Sequence, residues 1–283
     1  MPELPEVETV VRMHRAKLLG RTVAGVEFRW SRQAQPSPAA VAERLVGASI
    51  ADVRRRAKFI VFELRRDAAA AGYLLIHLKM SGRLEWGGED TPEPRHARVM
   101  FELGRGDRLY FCDARKFGRV TFREEIAGLD SELGAEPLAE DFTAVRLAEL
   151  LATRRQRLKP FLLDQRRIAG LGNIYTDEAL FRARLHPLRS AHTLRAGEIR
   201  ALHGAIRTVL REGIRNKGTS IDWIYPEGRM QDFLRVYGRT GLPCRVCGRA
   251  IRAIRVAQRG THYCPSCQRA PRSAKRTTPR TGA

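Results

Sequence analysis

From Thr22 to Phe122 apolar and polar residues alternate in short runs, at positions 23–30, 49–54, 59–64, 73–78, 97–103, 109–112 and 119–122. A two-residue period predicts strands with one buried face, and Gly, Pro and Asp turns separate several of the runs. Many short strands at this spacing predict a sandwich. Ahead of them, residues 2–19 read as a helix. Val7, Val10, Val11 and Leu18 give it a packing stripe, Pro2 suits its first turn, Glu3, Glu6 and Glu8 favour its positive end, and Gly20 stops it. Residues 127–141 are loop-like and read as a link between domains. Beyond them the period lengthens to that of a helix over 144–151, 158–164, 173–185 and 197–216. There is no internal repeat. The pattern therefore predicts an α+β chain of two domains, strands first and helices second.

Composition narrows the class. The 283 residues are 43% hydrophobic and 29% charged, close to globular norms, which excludes wholesale disorder. No uncharged apolar run approaches the ~20 residues of a membrane span. The first residues are acidic and lack the basic-then-apolar start of a secretory signal. A cytosolic protein is expected. Its formal charge is +21, and residues 233–283 hold 12 lysines and arginines with no acidic residue. A basic carboxy-terminal lobe is the footprint of a nucleic-acid binder, because cations displace the counterions of phosphates. Only seven of the 52 basic residues are lysines, so an arginine-rich composition inflates the signal. Charge alone leaves DNA and RNA, enzyme and binder, all open.

Cys244-Arg245-Val246-Cys247 and Cys264-Pro265-Ser266-Cys267 are two C-x2-C pairs sixteen residues apart. Two knuckle turns at that separation can converge four thiolates on one tetrahedral, structural Zn2+. The segment from Ala250 to His262 alternates and is expected to turn at Arg259-Gly260, as a β-hairpin would. Two disulfides are the alternative, but the odd fifth residue, Cys112, favours a reducing compartment. Cys112 itself lies in a strand-like run and reads as a small buried apolar residue.

Two further features carry candidate chemistry. Gly170-Leu171-Gly172-Asn173 lies between helical segments. The glycines permit close backbone approach, and Asn173 is a good helix N-cap whose neighbouring amides can hold a phosphate. Taken alone it is also an ordinary helix–helix corner. At the start of the chain, removal of Met1 would leave Pro2 with a free secondary amine. Such an amine can attack an electrophilic sugar carbon and form an iminium ion, with Glu3 beside it to transfer protons. Taken alone, Met-Pro is also a commonplace processed terminus.

The run Met1-Pro2-Glu3-Leu4-Pro5-Glu6-Val7-Glu8-Thr9-Val10 resembles the opening of the formamidopyrimidine-DNA glycosylases. The likeness continues in order through Lys58, His77-Leu78-Lys79-Met80-Ser81-Gly82, Asp113-Ala114-Arg115-Lys116-Phe117-Gly118, Gly170 to Glu178, Val236-Tyr237-Gly238-Arg239 and Gln258 to Cys267. The related endonuclease VIII branch resembles it less. The likeness implies an N-terminal β-sandwich flanked by helices and a C-terminal helix-two-turn-helix domain with a zinc β-hairpin. The expected limits are 1–126 for the catalytic domain, 127–142 for the link, 143–240 for the helical domain, 241–267 for the hairpin and 268–283 for a basic, mobile tail.

The likeness also implies an activity: a bifunctional glycosylase and lyase of base excision repair, acting on oxidised purines. Pro2 would be the nucleophile, Glu3 the proton donor, Glu6 the support of the amino terminus, Lys58 a proton-transfer and phosphate group, and Arg259 the residue of δ-elimination. His96, Arg115, Arg155 and Asn173 would contact DNA, and Met80, Arg115 and Phe117 would fill the space left by an everted nucleotide. The partner would be duplex DNA with a damaged base or abasic site, bound by a monomer in the bacterial cytoplasm at the nucleoid, with no membrane. Residues 218–239 begin and end like the family's but have a shorter middle, where Trp223 and Tyr225 offer stacking surfaces. Ala114 and Lys116 also depart from the pattern. Two other readings are a non-catalytic DNA binder on the same fold and an RNA-binding zinc ribbon.

Overall fold

The computed structural model describes residues 1–220 and 227–271. Trp223, Tyr225 and the chain from 272 onward lie outside the described residues. The chain divides into two units. The first comprises Met1–Glu136, Ile168–Gly172 and Leu210–Phe233, and the second Pro137–Arg167, Asn173–Val209 and Leu234–Ala283.

In the first unit α1 (Leu4–Leu18) leads into two sheets. The strands are β1 (Gly25–Phe28), β2 (Ala34–Gln35), β3 (Ser49–Arg56), β4 (Phe59–Arg66), β5 (Ala69–His77), β6 (Gly82–Gly87), β7 (Ala97–Glu102), β8 (Arg108–Asp113) and β9 (Arg119–Arg123), with α2 (Pro38–Leu45) between β2 and β3. One sheet runs β1-β7-β8-β6 and the other β2-β9-β5-β4-β3. All pairings are antiparallel except β2 with β9. Ile60, Phe62, Leu74, Ile76 and Val120 of the second sheet share one buried core with Val99, Phe101, Leu109 and Phe111 of the first. This is the sandwich that the two-residue period predicts. The stripe Val7, Val10, Val11 and Leu18 joins the same core. Removing each such side chain from water contributes roughly 1.5–3 kcal/mol, so burial rather than helix propensity holds α1 in place.

The pattern misses some elements and misjudges others. α1 begins at Leu4, not at residue 2, because Glu3 is its cap, with extended backbone (φ −106°, ψ −173°). Pro2 therefore stands outside the helix. The strand β6, the two-turn helix α2 capped by Ser37, and α3 (Ala127–Glu132) are additions. The last falls in the stretch read as a loop. Leu129 anchors it against Val61 and Leu75. β5 starts four residues earlier than expected because Asp67 and Ala68, both with positive φ, make a tight turn that pairs Arg66 with Ala69.

The second unit holds α4 (Ala144–Ala152), α5 (Leu158–Leu163), α6 (Asn173–Arg182), most of α7 (Ala196–Arg215), and the hairpin β10 (Arg252–Val256) and β11 (Arg259–Tyr263). The hairpin turns at Ala257-Gln258, not at Arg259-Gly260: both turn residues have positive φ, and Val256 pairs with Arg259. Neither Ala nor Gln advertises a type I′ turn, whereas glycine does, which is why the sequence points two residues too late. No helix among the described residues is long and apolar enough to cross a membrane.

Candidate active site and nucleic-acid interface

The first unit gathers the amino-terminal residues around two distant glycine segments. Pro2, Glu3 and Glu6 are all buried. Glu3 and Glu6 form a reciprocal cap: the Glu3 carboxylate accepts from the Glu6 backbone N–H, and the Glu3 N–H donates to Glu6 Oε2 at 2.9 Å. Each carboxylate has a second backbone donor. Gly172 N–H donates to Glu3 Oε2 at 2.7 Å, and Thr219 N–H to Glu6 Oε1 at 2.8 Å. Leu4 N–H donates to the Gly170 carbonyl at 3.0 Å. Glycine is required at both segments: a Cβ at Gly170 (φ +96°) would stand 2.7 Å from Leu4 Cδ1, and one at Gly218 (φ +75°) would stand 2.7 Å from Glu6 Cγ.

Lys58 sits in the tight turn between β3 and β4, where Arg56 pairs with Phe59. It is buried, and its Nζ donates to the Leu171 carbonyl at 2.7 Å. Glu3, Leu4 and Lys58 thus grip three consecutive residues, 170–172. A carboxylate and an ammonium are thus held on one turn of backbone, next in the chain to the buried Pro2. His77, at the end of β5, accepts the Lys79 N–H on Nδ1 at 3.0 Å. Burial first, then the charges of Lys79 and Lys58, lower its imidazole to about 3, so it is neutral and carries its proton on Nε2.

Met80 and the pair Arg115 and Phe117 lie on two loops that one carboxylate joins. Asp113 is fully buried. Its Oδ1 accepts from Ser81 Oγ at 2.5 Å and from Arg115 N–H at 3.2 Å, and its Oδ2 accepts from Gly118 N–H at 2.7 Å. Phe117 is 50% exposed, and the Arg115 guanidinium lies 5.1 Å from its ring centroid. An apolar ring presented to water beside a cation is poor core chemistry and good wedge chemistry. His96 (φ +66°) adjoins this region, with its carbonyl accepting the Asp113 N–H at 3.0 Å. Desolvation, then Arg95, Arg98 and Arg83, lowers its pKa.

In the second unit Arg155 and Arg259 are exposed, and Asn173 opens α6. Asn173 Oδ1 is buried and has no hydrogen-bond partner among the described residues. A fully buried Lys159 holds the tip of the hairpin. Its Nζ donates to the Gly260 carbonyl at 2.7 Å, next to Arg259, and to Asp177 Oδ1 at 2.7 Å. Asp177 Oδ2 in turn accepts the His262 N–H at 2.8 Å. Glu178 accepts three backbone N–H groups, from Arg235, Val236 and Tyr237, and so fixes the Val236–Arg239 motif to α6.

The cysteines close the hairpin. The Sγ atoms of Cys244, Cys247, Cys264 and Cys267 all lie within 4.8 Å of one another, with Cys244–Cys267 at 4.0 Å and Cys247–Cys264 at 3.5 Å. A tetrahedron of ~2.3 Å Zn–S bonds has edges of about 3.8 Å, so the four thiolates fit one zinc. Backbone donation at Arg249, with help from neighbouring thiols, lowers Cys247 to about 6, while desolvation and the same thiols push Cys267 up to about 12. Four sulfurs this close cannot all ionise without a cation among them. Cys112 is buried, as expected, and its thiol is pushed up to about 12, chiefly by desolvation.

The sequence singles out Pro2, Glu3, Glu6, Lys58, Met80, Arg115 and Phe117, and the structure brings Glu3 and Lys58 to the turn at 170–172, with Pro2 next to Glu3 in the chain, and Glu6 to the second glycine segment at Thr219. It leaves Asp113, Thr219 and Lys159 unassigned. Only the Gly-x-Gly spacing at 170–172 hints at a close approach, and nothing local says that Glu3 makes it.

Taken together, the two-sheet unit with its buried Pro-Glu terminus and the helical unit with its four-cysteine hairpin have the architecture of a DNA glycosylase. Residues 1–120 match the formamidopyrimidine-DNA glycosylase N-terminal domain, residues 133–224 the formamidopyrimidine-DNA glycosylase H2TH domain, and residues 241–270 the zinc finger found in FPG and IleRS. The formamidopyrimidine-DNA glycosylase of Symbiobacterium thermophilum is 45% identical over 280 residues, covering 96% of this chain and 90% of its own. That of Chloroflexus aurantiacus is 46% identical over 275 residues, covering 95% and 98%. The Lactococcus lactis Fpg bound to DNA containing N7-benzyl-Fapy-dG superposes with a TM-score of 0.88 at 35% identity, over 95% of this chain and all of that one. The same enzyme with abasic-site DNA gives 0.87. The chain belongs to the formamidopyrimidine-DNA glycosylase family.

Proposed function

We propose that this protein excises oxidised purines from duplex DNA and then cuts the strand at the abasic site. The observation that carries the reading is the anchoring of Glu3 and Lys58 on residues 170–172 beside Pro2. A base cannot be attacked while stacked, so the damaged nucleotide is everted at a cost of a few kcal/mol. Met80 and Phe117 replace the lost stacking, and Arg115 hydrogen-bonds the orphaned partner base. His96, Arg155 and Asn173 hold phosphates, Asn173 at the start of α6 where the helix dipole favours an anion.

With Met1 removed, the Pro2 nitrogen forms a bond to C1′ as the glycosidic bond breaks. The electron pair leaves with the base, and Glu3 supplies the proton, an effect worth ~10²–10⁴-fold in rate. The Pro2 nitrogen then gives up its proton and its lone pair expels O4′, which takes up a proton as the C1′–O4′ bond breaks and the sugar ring opens; the iminium so formed makes the C2′ hydrogen acidic. Its removal, with Lys58 moving the proton, expels the 3′ phosphate by β-elimination. Arg259 assists the second elimination, which releases the 5′ phosphate and leaves a one-nucleotide gap. Zinc, when bound by the four cysteines, supplies no chemistry to these steps; it orders the hairpin that presents Arg259. The protein works as a monomer in the bacterial cytoplasm, at the nucleoid.

Borohydride tests the scheme directly. Reduction of enzyme mixed with abasic duplex should give a stable covalent adduct that maps to Pro2. An active enzyme that yields no adduct, or one that retains Met1, would refute it.

A further inference from the structure

The loop from β8 to β9 that carries Arg115 and Phe117 is braced from a segment to which no role has been given, residues 30–35. Gln33 is fully buried, and its Nε2 donates to Asp113 Oδ2 at 2.9 Å. Because the carboxylate can only accept, the Gln33 amide has one allowed orientation. That orientation leaves Gln33 Oε1 buried with no hydrogen-bond partner among the described residues. Directly after it, β2 pairs in parallel with β9, Ala34 opposite Val120 and Gln35 opposite Thr121, and Thr121 Oγ1 donates to Gln35 Oε1 at 3.1 Å. At the other end of the segment the Trp30 ring takes Lys116 Nζ at 4.1 Å from its centroid. Lys116 stands between Arg115 and Phe117 in the left-handed region (φ +60°). The Arg32 guanidinium lies 5.9 Å from the same ring.

The loop is therefore pinned at three points: its base through Gln33 and Asp113, its exit through β2, and its tip through Lys116 on Trp30. A core needs none of this. An apolar residue in place of Gln33 would avoid the orphaned oxygen, and a left-handed lysine is an uncommon conformation for a non-glycine residue. What the three pins accomplish is to hold an exposed phenylalanine and its arginine in one place. A wedge ordered in advance loses little conformational freedom when it enters the duplex, whereas a loose one loses it at every insertion.

We propose that Trp30 and Gln33, acting through Lys116 and Asp113, are positioning residues that preset the Arg115–Phe117 loop for insertion into duplex DNA. The inference rests on the wedge reading under Proposed function. Its prediction concerns which substrates suffer, since a strand without a partner has no stack to enter.

The test compares one oligonucleotide carrying a single abasic site, paired opposite cytosine or left single-stranded. In Trp30→Ala and Gln33→Ala, kcat/KM for cutting the duplex should fall by about tenfold or more, while cutting of the single strand stays within about twofold. Trp30→Phe, which keeps a π face for Lys116, should restore most of the loss. Trp30→Ala combined with Lys116→Met should lose no more than Trp30→Ala alone, as expected if the two act as a pair. Equal losses on both substrates, with a lowered melting temperature, would make the segment merely structural and overturn the proposal. Full activity of both variants on the duplex would overturn it too. A wild-type enzyme that cuts neither substrate would instead overturn the lyase reading, and this inference with it.

Discussion

Gly172 donates its backbone N–H to Glu3 Oε2 at 2.7 Å, and a Cβ at position 172 would stand 2.5 Å from Glu3 Oε1. The glycine and the carboxylate therefore occupy one site between them. Gly172→Ala should displace the Glu3 side chain and cost ~1–3 kcal/mol from overpacking. Base release should fall with it. Denaturant midpoints and single-turnover release of an oxidised base measure the two effects, and an unchanged release rate would contradict the placement of Glu3.

Glu3→Gln separates acid from cap. Glutamine still accepts the Gly172 N–H, so stability should change by no more than the ~0.5–2 kcal/mol of a cap. Base release should drop ~10²–10⁴-fold. Cutting of a preformed abasic site, which needs no leaving base, should suffer less. Parallel assays on damaged and abasic duplexes give the comparison.

Acid should weaken the protein partly through His77. Its folded pKa, about 3, lies below its unfolded value, so it is neutral in the fold where the unfolded chain takes up a proton. The stability it contributes is complete above about pH 6.5 and is lost as pH falls toward 3, by at most ~1.4 kcal/mol per pH unit. His77→Asn keeps an acceptor for Lys79 N–H and removes the titration. Urea unfolding between pH 7 and pH 4 should show a shallower decline in the variant; equal slopes would count against the buried neutral imidazole.

Lys159 and Asp177 are both fully buried and hydrogen-bonded to each other. Lys159→Met leaves Asp177 a buried charge without its partner, a loss of ~3–5 kcal/mol. It also frees the Gly260 carbonyl. Melting of the hairpin unit should fall, and the later elimination assigned to Arg259 should slow more than base release does. Products with and without the 5′ phosphate removed, resolved on a sequencing gel, report the ratio.

Removing the metal should act on one unit only. Cys247→Ser, or chelation, should release zinc and abolish DNA affinity, while the core of Ile60, Phe62, Val99 and Phe111 stays folded. Zinc content, near-ultraviolet dichroism and fluorescence anisotropy with an abasic duplex distinguish these outcomes.

Features set by neighbours along the chain were legible in the sequence. The valine stripe of α1, the alternation of β3, β4 and β7 and the two C-x2-C knuckles are all local signals, and each predicts what is found. Short elements were not: α2 has two turns, α3 fewer, and β6 is bounded by glycines that read as turns. The site divides along the same line. Pro2, Glu3 and Lys58 stand out through the resemblance, but the Glu3–Gly172 and Glu6–Thr219 bonds join residues 169 and 213 positions apart. No periodicity encodes such a meeting. Gln33 is a further case, an amide in a polar stretch whose partner, Asp113, lies 80 positions on.

The reciprocal Glu3–Glu6 cap limits how this enzyme could be engineered for heat tolerance. Swapping the residue before a helix for serine, threonine or aspartate is among the safest stabilising edits in most proteins. Here that edit would remove the proposed proton donor, and trimming Glu6 would loosen the backbone that aims it. Hardening must be sought elsewhere, in surface loops or on the far faces of the sheets, because the start of the first helix is reserved for the proposed chemistry.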